Sequence, residues 1–236
     1  MSQLCYQLAS MGVVVVSVEH REGSGFGTIF KDGEKVEEIP HLRVPVNEHE
    51  YEVRNRQVNH RCDEVLRAID ILDKINAGQT LSNVVADHDD MDLSMLQSSM
   101  DLTSHLYLMG HSFGGSTVLL ASSLDTRVKA VLALDPWMLP LAKQKFTIDK
   151  PTQVVNTVQF VNKNNLRVIE EASKNNNDIK YEVYLNGVHL SVTDIPCVFT
   201  QTPLRMGLGF MDKVSPETVI VETNKIVWDW LRNLIV

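Results

Sequence analysis

The chain has 236 residues, in which 22 Lys and Arg stand against 30 Asp and Glu, for a net charge of −8. Hydrophobic residues make up 44% of the sequence and charged residues 22%, proportions typical of a globular protein and not of a disordered or fibrous one. The acidic balance, without a basic cluster, argues against nucleic acid as a partner. We expect a single α/β domain over residues 1–236.

The cysteines and the start of the sequence bear on the compartment. Cys5, Cys62 and Cys197 are widely spaced and odd in number, so neither a disulfide framework nor a paired-cysteine metal site is predicted. The apolar run at residues 12–16 is far too short to span a bilayer, and no basic secretion signal precedes it. These observations favour a cytoplasmic protein.

The first part of the chain predicts a helix, a strand and a long connection. Apolar residues have helical spacing over residues 4–10, and residues 13–18 (VVVVSV) form a β-branched run typical of a strand buried on both faces. Residues 21–47 are rich in Gly, Glu and Pro without periodicity. We therefore expect a long irregular connection there, a kind of segment that is often functional.

The next part predicts a long amphipathic helix. Over residues 48–75 apolar residues recur at intervals of three and four, and Gly78 is placed to end the helix. A second, shorter helix is predicted over residues 93–99.

The remaining pattern is that of strands alternating with helices. Strand-like runs occur at residues 105–109, 128–134, 154–161 and 181–185, and residues 216–234 have the spacing of a closing helix. Such alternation is typical of parallel βαβ units. The predicted fold class is therefore α/β, with a doubly wound, mostly parallel sheet flanked by helices.

A motif of the form GxSxG follows the first of these strands. Residues 110–114 read Gly-His-Ser-Phe-Gly, and a helix-compatible run follows at residues 116–122. In a nucleophile elbow the serine occupies a strained turn, and glycines on either side let the strand and helix approach each other. We predict Ser112 as a catalytic nucleophile; the alternative is an ordinary tight turn.

A nucleophilic serine needs a histidine base and a carboxylate that orients it. Asp135 directly follows the strand at residues 128–134, at the edge where the carboxyl ends of parallel strands meet. A position one strand later is commoner for the acid, but no carboxylate follows directly there. Asp135 is therefore the preferred acid, with Asp149 and Asp178 as the alternatives.

The base is predicted from the order of the triad residues along the chain. The order nucleophile, acid, histidine leaves His189, since every other histidine precedes Asp135. His111 is expected to pack against the neighbouring loops. His88 stands among four aspartates, Asp87, Asp89, Asp90 and Asp92. We expect a solvated acidic turn there and predict neither a metal nor another cofactor.

Five stretches carry a family resemblance over nearly the whole chain: residues 18–21 (VEHR), 53–58 (VRNRQV), 110–115 (GHSFGG), 134–141 (LDPWMLPL), and 188–189 followed by Asp194. They resemble the platelet-activating factor acetylhydrolases of the plasma and cytosolic type II kind. The resemblance implies an α/β-hydrolase with Ser112, Asp135 and His189 as its triad. It also implies calcium-independent hydrolysis, of the phospholipase A2 type, of short or oxidised sn-2 acyl groups on phospholipids.

The resemblance has one departure, at the oxyanion hole. In that family one donor is the amide after the nucleophile, here Phe113, and the other comes from a glycine-containing loop before the first helix. The chain begins inside that helix, so we expect a sheet that lacks its N-terminal strands. The leading hypothesis is a phospholipid esterase. The alternatives are a catalytically inactive lipid-binding or interaction fragment and a hydrolase of small esters or peptides.

Apolar residues near the predicted site favour a lipid ligand. Trp137, Met138 and Leu139 follow the predicted acid. A second group follows His189, namely Leu204, Met206, Leu208, Phe210 and Met211. Such residues suit acyl chains or peripheral contact with a membrane surface. The alternative is ordinary core packing.

Overall fold

Residues 1–32, 35–79, 81, 92–158, 160–184, 187–195 and 215–235 are described by a computed structural model of the chain. Its helices are α1 (Ser2–Ser10), α2 (Glu50–Asn76), α3 (Phe113–Leu124), α4 (Lys163–Ala172) and α5 (Pro216–Ile235). Its strands are β1 (Gly27–Asp32), β2 (Lys35–Pro40), β3 (Tyr107–His111), β4 (Ala130–Leu134), β5 (Thr152–Thr157) and β6 (Ile179–Tyr184). Short 3₁₀ helices cover Ser94–Leu96 and Leu139–Leu141.

Four parallel strands form the central sheet, in the order β3-β4-β5-β6. His111 pairs with Leu134 at the carboxyl ends of β3 and β4, and Thr157 pairs with Tyr184 at the ends of β5 and β6. The carboxyl ends of all four strands therefore meet at one edge of the sheet. The four strands predicted from the later part of the sequence and their parallel arrangement are confirmed.

Helices cover both faces of this sheet, and β4 shows why. Each of its five residues is buried, and side chains alternate between the two faces. Val131 and Ala133 pack with residues of α2 and α3, whereas Leu132 and Leu134 pack with residues of α1 and α5. The doubly wound arrangement follows from this double burial, because both faces of a parallel sheet need a covering layer.

The long helix α2 has the predicted core face and the predicted end. Val58, Cys62, Val65 and Ile69 are buried at intervals of three and four residues. Gly78 ends the helix in the left-handed region at φ 76° and donates its amide N–H to the Ile75 carbonyl. None of the helices among the described residues is long and apolar enough to cross a membrane.

The prediction of a strand at residues 13–18 is wrong: the structure assigns no strand there. Val13 and Val15 pack against the α1–α5 face, but Val14 and Val16 are 45% and 49% exposed. The segment therefore lies at the margin of the core and is not buried on both faces.

Residues 21–47 are not wholly irregular, because β1 and β2 form an antiparallel hairpin within them. The side chains of β2 are nearly all exposed. A strand without a buried face shows no hydrophobic alternation, so periodicity could not reveal it. The helix predicted at residues 93–99 is likewise reduced to one 3₁₀ turn, Ser94–Leu96.

Candidate active site

Ser112 occupies a sharp turn between β3 and α3. Its backbone has φ 57° and ψ −118°, a conformation that side chains rarely adopt. The Ser112 amide N–H donates to the Leu134 carbonyl at 2.9 Å, and the Trp137 amide N–H donates to the Ser112 carbonyl at 2.9 Å. The strained turn is thus held by hydrogen bonds to the end of β4 and to the segment that follows it.

Two glycines around this turn are sterically required: Gly110, the first glycine of the GxSxG motif, and Gly115, which follows the motif. A Cβ on Gly110 would lie 2.1 Å from the Gly114 carbonyl oxygen, and one on Gly115 would lie 2.9 Å from Pro136 Cα. A Cβ on Gly114 would meet nothing within 4 Å. The close approach predicted for this turn therefore depends on Gly110 and Gly115.

Asp135 lies at the end of β4 and is fixed by β5. Its side chain is 1% exposed, and its backbone φ is 44°. Its carboxylate accepts two hydrogen bonds from Thr157, one from the amide N–H at 2.6 Å and one from the hydroxyl at 2.7 Å. Its own amide N–H donates to the Val155 carbonyl at 2.8 Å. These bonds hold the acid in one orientation without exposing it to water.

His189, in the segment after β6, joins the two. Its Nε2 lies 2.9 Å from Ser112 Oγ, and its Nδ1 lies 3.1 Å from Asp135 Oδ2. The imidazole is 26% exposed, so it is reachable from the surface. This is the geometry in which a carboxylate orients an imidazole and the imidazole can remove a serine proton.

The structure therefore brings Ser112, Asp135 and His189 together, as the sequence predicts. It places the alternative acids elsewhere. Asp149 and Asp178 precede the first residues of β5 and β6, at the opposite edge of the sheet. The side chain of Asp149 is 58% exposed and pairs with Lys150.

Two aromatic rings flank the His189 imidazole. The Phe160 ring is stacked on it, with ring centres 3.9 Å apart and an interplanar angle of 9°. The His111 ring lies at 4.6 Å, tilted by 33°, and its Nε2–H donates to the His189 carbonyl at 2.9 Å. The imidazole thus has hydrogen-bond partners at both nitrogens and contacts two aromatic rings.

His111 stays neutral in this environment. Burial lowers its pKa to about 4, and the nearby His189 adds to the effect because two positive imidazoles would repel each other. Sequence reasoning expected His111 only to pack against loops, and it missed Thr157 and Phe160 altogether. Their places in the sequence could have indicated His111, which directly precedes Ser112, and Thr157, which ends the strand beside that of Asp135.

Phe113, the predicted oxyanion donor, is the first residue of α3. Its amide N–H has no carbonyl within the helix to bond, and the positive end of the helix dipole lies there. Its buried ring packs edge-on against Trp137 at 5.3 Å and under the Arg61 guanidinium at 4.3 Å. Arg61 is itself paired with the buried Glu22, so the start of α3 is firmly supported.

The three residues predicted to contact substrate differ in their burial. Met138 has no exposed surface, belongs to the core and donates its amide N–H to Asn165 Oδ1 at 3.0 Å, which favours the alternative of ordinary core packing for this residue. Trp137 and Leu139 are only partly buried and keep surface that a ligand could touch. The residues Leu204, Met206, Leu208, Phe210 and Met211, like Cys197, lie outside the described residues.

The site also offers atoms that a metal could use. Ligand atoms of His111, Asp135 and His189 lie within 4.8 Å of one another. Hydrogen bonds already engage both nitrogens of His189 and both oxygens of Asp135. The predicted acidic turn lies outside the described residues at Asp87, His88, Asp89 and Asp90. In the described part Asp92 accepts a hydrogen bond from the Ser94 amide N–H.

A nucleophile elbow at the carboxyl edge of a parallel sheet with helices on both faces defines an α/β-hydrolase fold. A ferulic acid esterase from Streptomyces cinnamoneus has a similar structure, with a TM-score of 0.56 and 18% sequence identity. The match covers 76% of this chain and 49% of the esterase. It supports the fold alone.

The family model described as "Platelet-activating factor acetylhydrolase, isoform II" matches residues 1–235, and the chain belongs to this family. The platelet-activating factor acetylhydrolase of Gallus gallus is 31% identical over 212 residues, which cover 84% of this chain and 50% of the relative. That of Cavia porcellus is 32% identical over 228 residues, covering 95% and 51%. The chain spans about half the length of these curated relatives.

Proposed function

We propose that the protein is a serine esterase that cleaves the short or oxidised sn-2 acyl group of platelet-activating factor and related phospholipids. One observation carries the proposal: His189 bridges Ser112 Oγ and Asp135 Oδ2 at hydrogen-bond distances on both of its nitrogens. The names of the relatives support the substrate class. The partly buried Trp137 and Leu139 supply apolar surface for an acyl chain.

The proposed reaction has two steps. Ser112 Oγ attacks the sn-2 carbonyl while its proton moves to His189 Nε2, and Asp135 stabilises the imidazolium. The Phe113 amide N–H stabilises the oxyanion. His189 then protonates the departing glycerol oxygen, which releases the lysophospholipid. Water, deprotonated by His189, attacks the acyl-serine. The bond to Ser112 Oγ then breaks as His189 returns the proton to that oxygen, which releases the carboxylic acid and restores the serine. No metal-bound nucleophile is needed.

The direct test uses Ser112→Ala. We expect this variant to lose fluorophosphonate labelling and to lose release of acetate from a 2-acetyl phospholipid by about a thousandfold or more, because only the nucleophile is removed. Its thermal unfolding should match that of the parent chain, since a methyl group fits the same turn. Retention of more than a few per cent of turnover in the variant would remove Ser112 from this role.

A second candidate function is lipid binding without catalysis. It is favoured by the oxyanion hole, for which the described residues supply one identified donor, the Phe113 amide. Both candidates place the protein at a lipid surface, and the cytoplasm is the compartment we propose. Flotation with phosphatidylcholine vesicles, combined with fluorophosphonate labelling, separates the two. Binding without labelling would favour the second, and labelling with acetate release the first.

A further inference from the structure

We propose that Phe160 is a positioning residue for the base: the face of its ring holds the His189 imidazole and stabilises the imidazolium that forms during the reaction. The inference rests on the proposed function, because it assigns His189 the role of base. It concerns a residue that neither the GxSxG motif nor the order of the triad indicates.

The contact is a parallel stack. The ring centres of Phe160 and His189 are 3.9 Å apart, and the two planes differ by 9°. At this distance the two faces are in van der Waals contact, which opposes rotation of the imidazole out of the plane defined by its two hydrogen bonds. Ring contact on one face and hydrogen bonds at both nitrogens together define a single orientation.

Phe160 is fixed by the segment that also fixes the acid. Its amide N–H donates to the Thr157 carbonyl at 3.0 Å, in the turn that follows β5. Thr157 also donates to both oxygens of Asp135 through its amide and hydroxyl. Two residues later Asn162 caps α4 by accepting from the Asn165 amide N–H at 2.8 Å. The end of β5 therefore sets both the acid and the ring on the imidazole.

The ring has an electrostatic consequence once Ser112 gives its proton to His189. The face of a phenyl ring carries partial negative charge, and a cation over it is stabilised. Among the described residues, two other titratable groups face the imidazole, Asp135 and His111. Asp135 favours the charged form of the imidazole. His111 has a pKa of about 4 and is therefore neutral at higher pH. Phe160 thus adds to the stabilisation that Asp135 gives the imidazolium.

The test compares Phe160→Leu, which keeps bulk but removes the π face, with Phe160→Tyr, which keeps the face. NMR titration of the His189 ring gives its pKa directly. We expect Phe160→Leu to lower this pKa by about half a unit to one unit. The acid limb of kcat/KM for p-nitrophenyl acetate should move down by the same amount, and kcat should fall about three- to tenfold. Phe160→Tyr should keep the parent values.

A purely structural role would give a different result. If Phe160→Leu changed only KM or the unfolding temperature, and left the His189 pKa and the acid limb in place, the proposal would be overturned. If the Leu variant failed to fold, Phe160→Met would carry the same comparison. If the parent chain proved inactive toward esters and fluorophosphonate, the proposed function would fail, yet the NMR titration would still decide whether the ring stabilises the imidazolium.

Discussion

At the scale of single residues, the site depends on the backbone conformations of Ser112 and Asp135, which residues with a side chain rarely adopt. Ser112 and Asp135 are not glycines, yet their φ angles are 57° and 44°. Such conformations cost about 1–3 kcal/mol each and persist only when the surroundings hold them. Here the Ser112 amide bonds to the Leu134 carbonyl and the Asp135 amide bonds to the Val155 carbonyl. In these conformations both side chains lie within hydrogen-bond distance of His189.

The role of the acid is tested by Asp135→Asn. The amide cannot accept from both Thr157 donors and still accept from His189 Nδ1–H, so the imidazole should adopt the wrong tautomer. We expect ester turnover to fall by up to about ten-thousandfold. Asp149→Asn and Asp178→Asn, at the opposite edge of the sheet, should change turnover less than about twofold. Strong loss in Asp178→Asn instead would move the acid to a later strand.

His111 predicts a pH dependence of stability. Because burial lowers its pKa to about 4, the folded state binds no proton on His111 at pH values where the unfolded state, with a pKa of 6.5, does. Its contribution to stability is therefore present above pH 6.5 and is lost as the pH falls toward 4. This adds a slope of up to about 1.4 kcal/mol per pH unit in the free energy of unfolding.

The matched variant is His111→Gln, whose amide does not titrate but can still donate to the His189 carbonyl. Urea unfolding at several pH values between 4 and 7 should show that the free energy of unfolding falls less steeply for this variant than for the parent chain. Parallel curves would mean that His111 is protonated equally in the folded and unfolded states.

At the scale of elements, the junction of β3, α3 and β4 is the tightest part of the fold around the site. Gly110 brings the end of β3 against the first turn of α3, and Gly115 brings that turn against Pro136 after β4. These approaches hold the turn that carries Ser112 and the Phe113 amide. The elements position the site through backbone contacts as much as through side chains.

We therefore expect Gly110→Ala and Gly115→Ala to destabilise the protein, because in both a Cβ would meet backbone atoms that cannot move away. A loss of about 2 kcal/mol or more in the free energy of unfolding is expected for each. Gly114→Ala is the control, since it has open space and a helical backbone, and it should be neutral or slightly stabilising. Equal losses in the three variants, measured by urea unfolding, would contradict this steric account.

At the scale of the whole molecule, the fold joins positions that are far apart in the sequence. Ser112 and His189 are 77 residues apart, and Asp135 and His189 are 54 apart. Parallel strands bring them to one edge of the sheet, and the core layers on its two faces hold that edge together. In the proposed chemistry the imidazole activates the serine, so a metal-bound water is not needed as the nucleophile.

Calcium is therefore expected to have no effect on the proposed reaction. Hydrolysis of p-nitrophenyl acetate, and acetate release from a 2-acetyl phospholipid, should change less than about twofold when EGTA is added. Adding magnesium in place of calcium is the control for weak binding of cations to the surface of a chain with a net charge of −8. Loss of activity with EGTA that calcium restores would contradict the metal-free mechanism.

The sequence by itself predicted the elements that have a buried face. The four strands of the central sheet, α2 and α5 were predicted because burial of one face leaves a periodic apolar pattern and burial of both faces leaves a continuous apolar run. Ser112, Asp135 and His189 were predicted from a motif, a strand end and the order of the residues along the chain. Their catalytic roles remain a proposal, although the structure brings them within hydrogen-bond distance of one another.

Other features were decided only by the tertiary structure. Strand β2 of the hairpin has little buried surface, and the run at residues 13–18 lies at the margin of the core, so hydrophobicity alone misjudged both segments. Met138 belongs to the core, and Phe160 and His111 contact the His189 ring, because of contacts with residues distant in the sequence. Local periodicity records which face of an element is buried, whereas the partners of a side chain are chosen only when the elements pack.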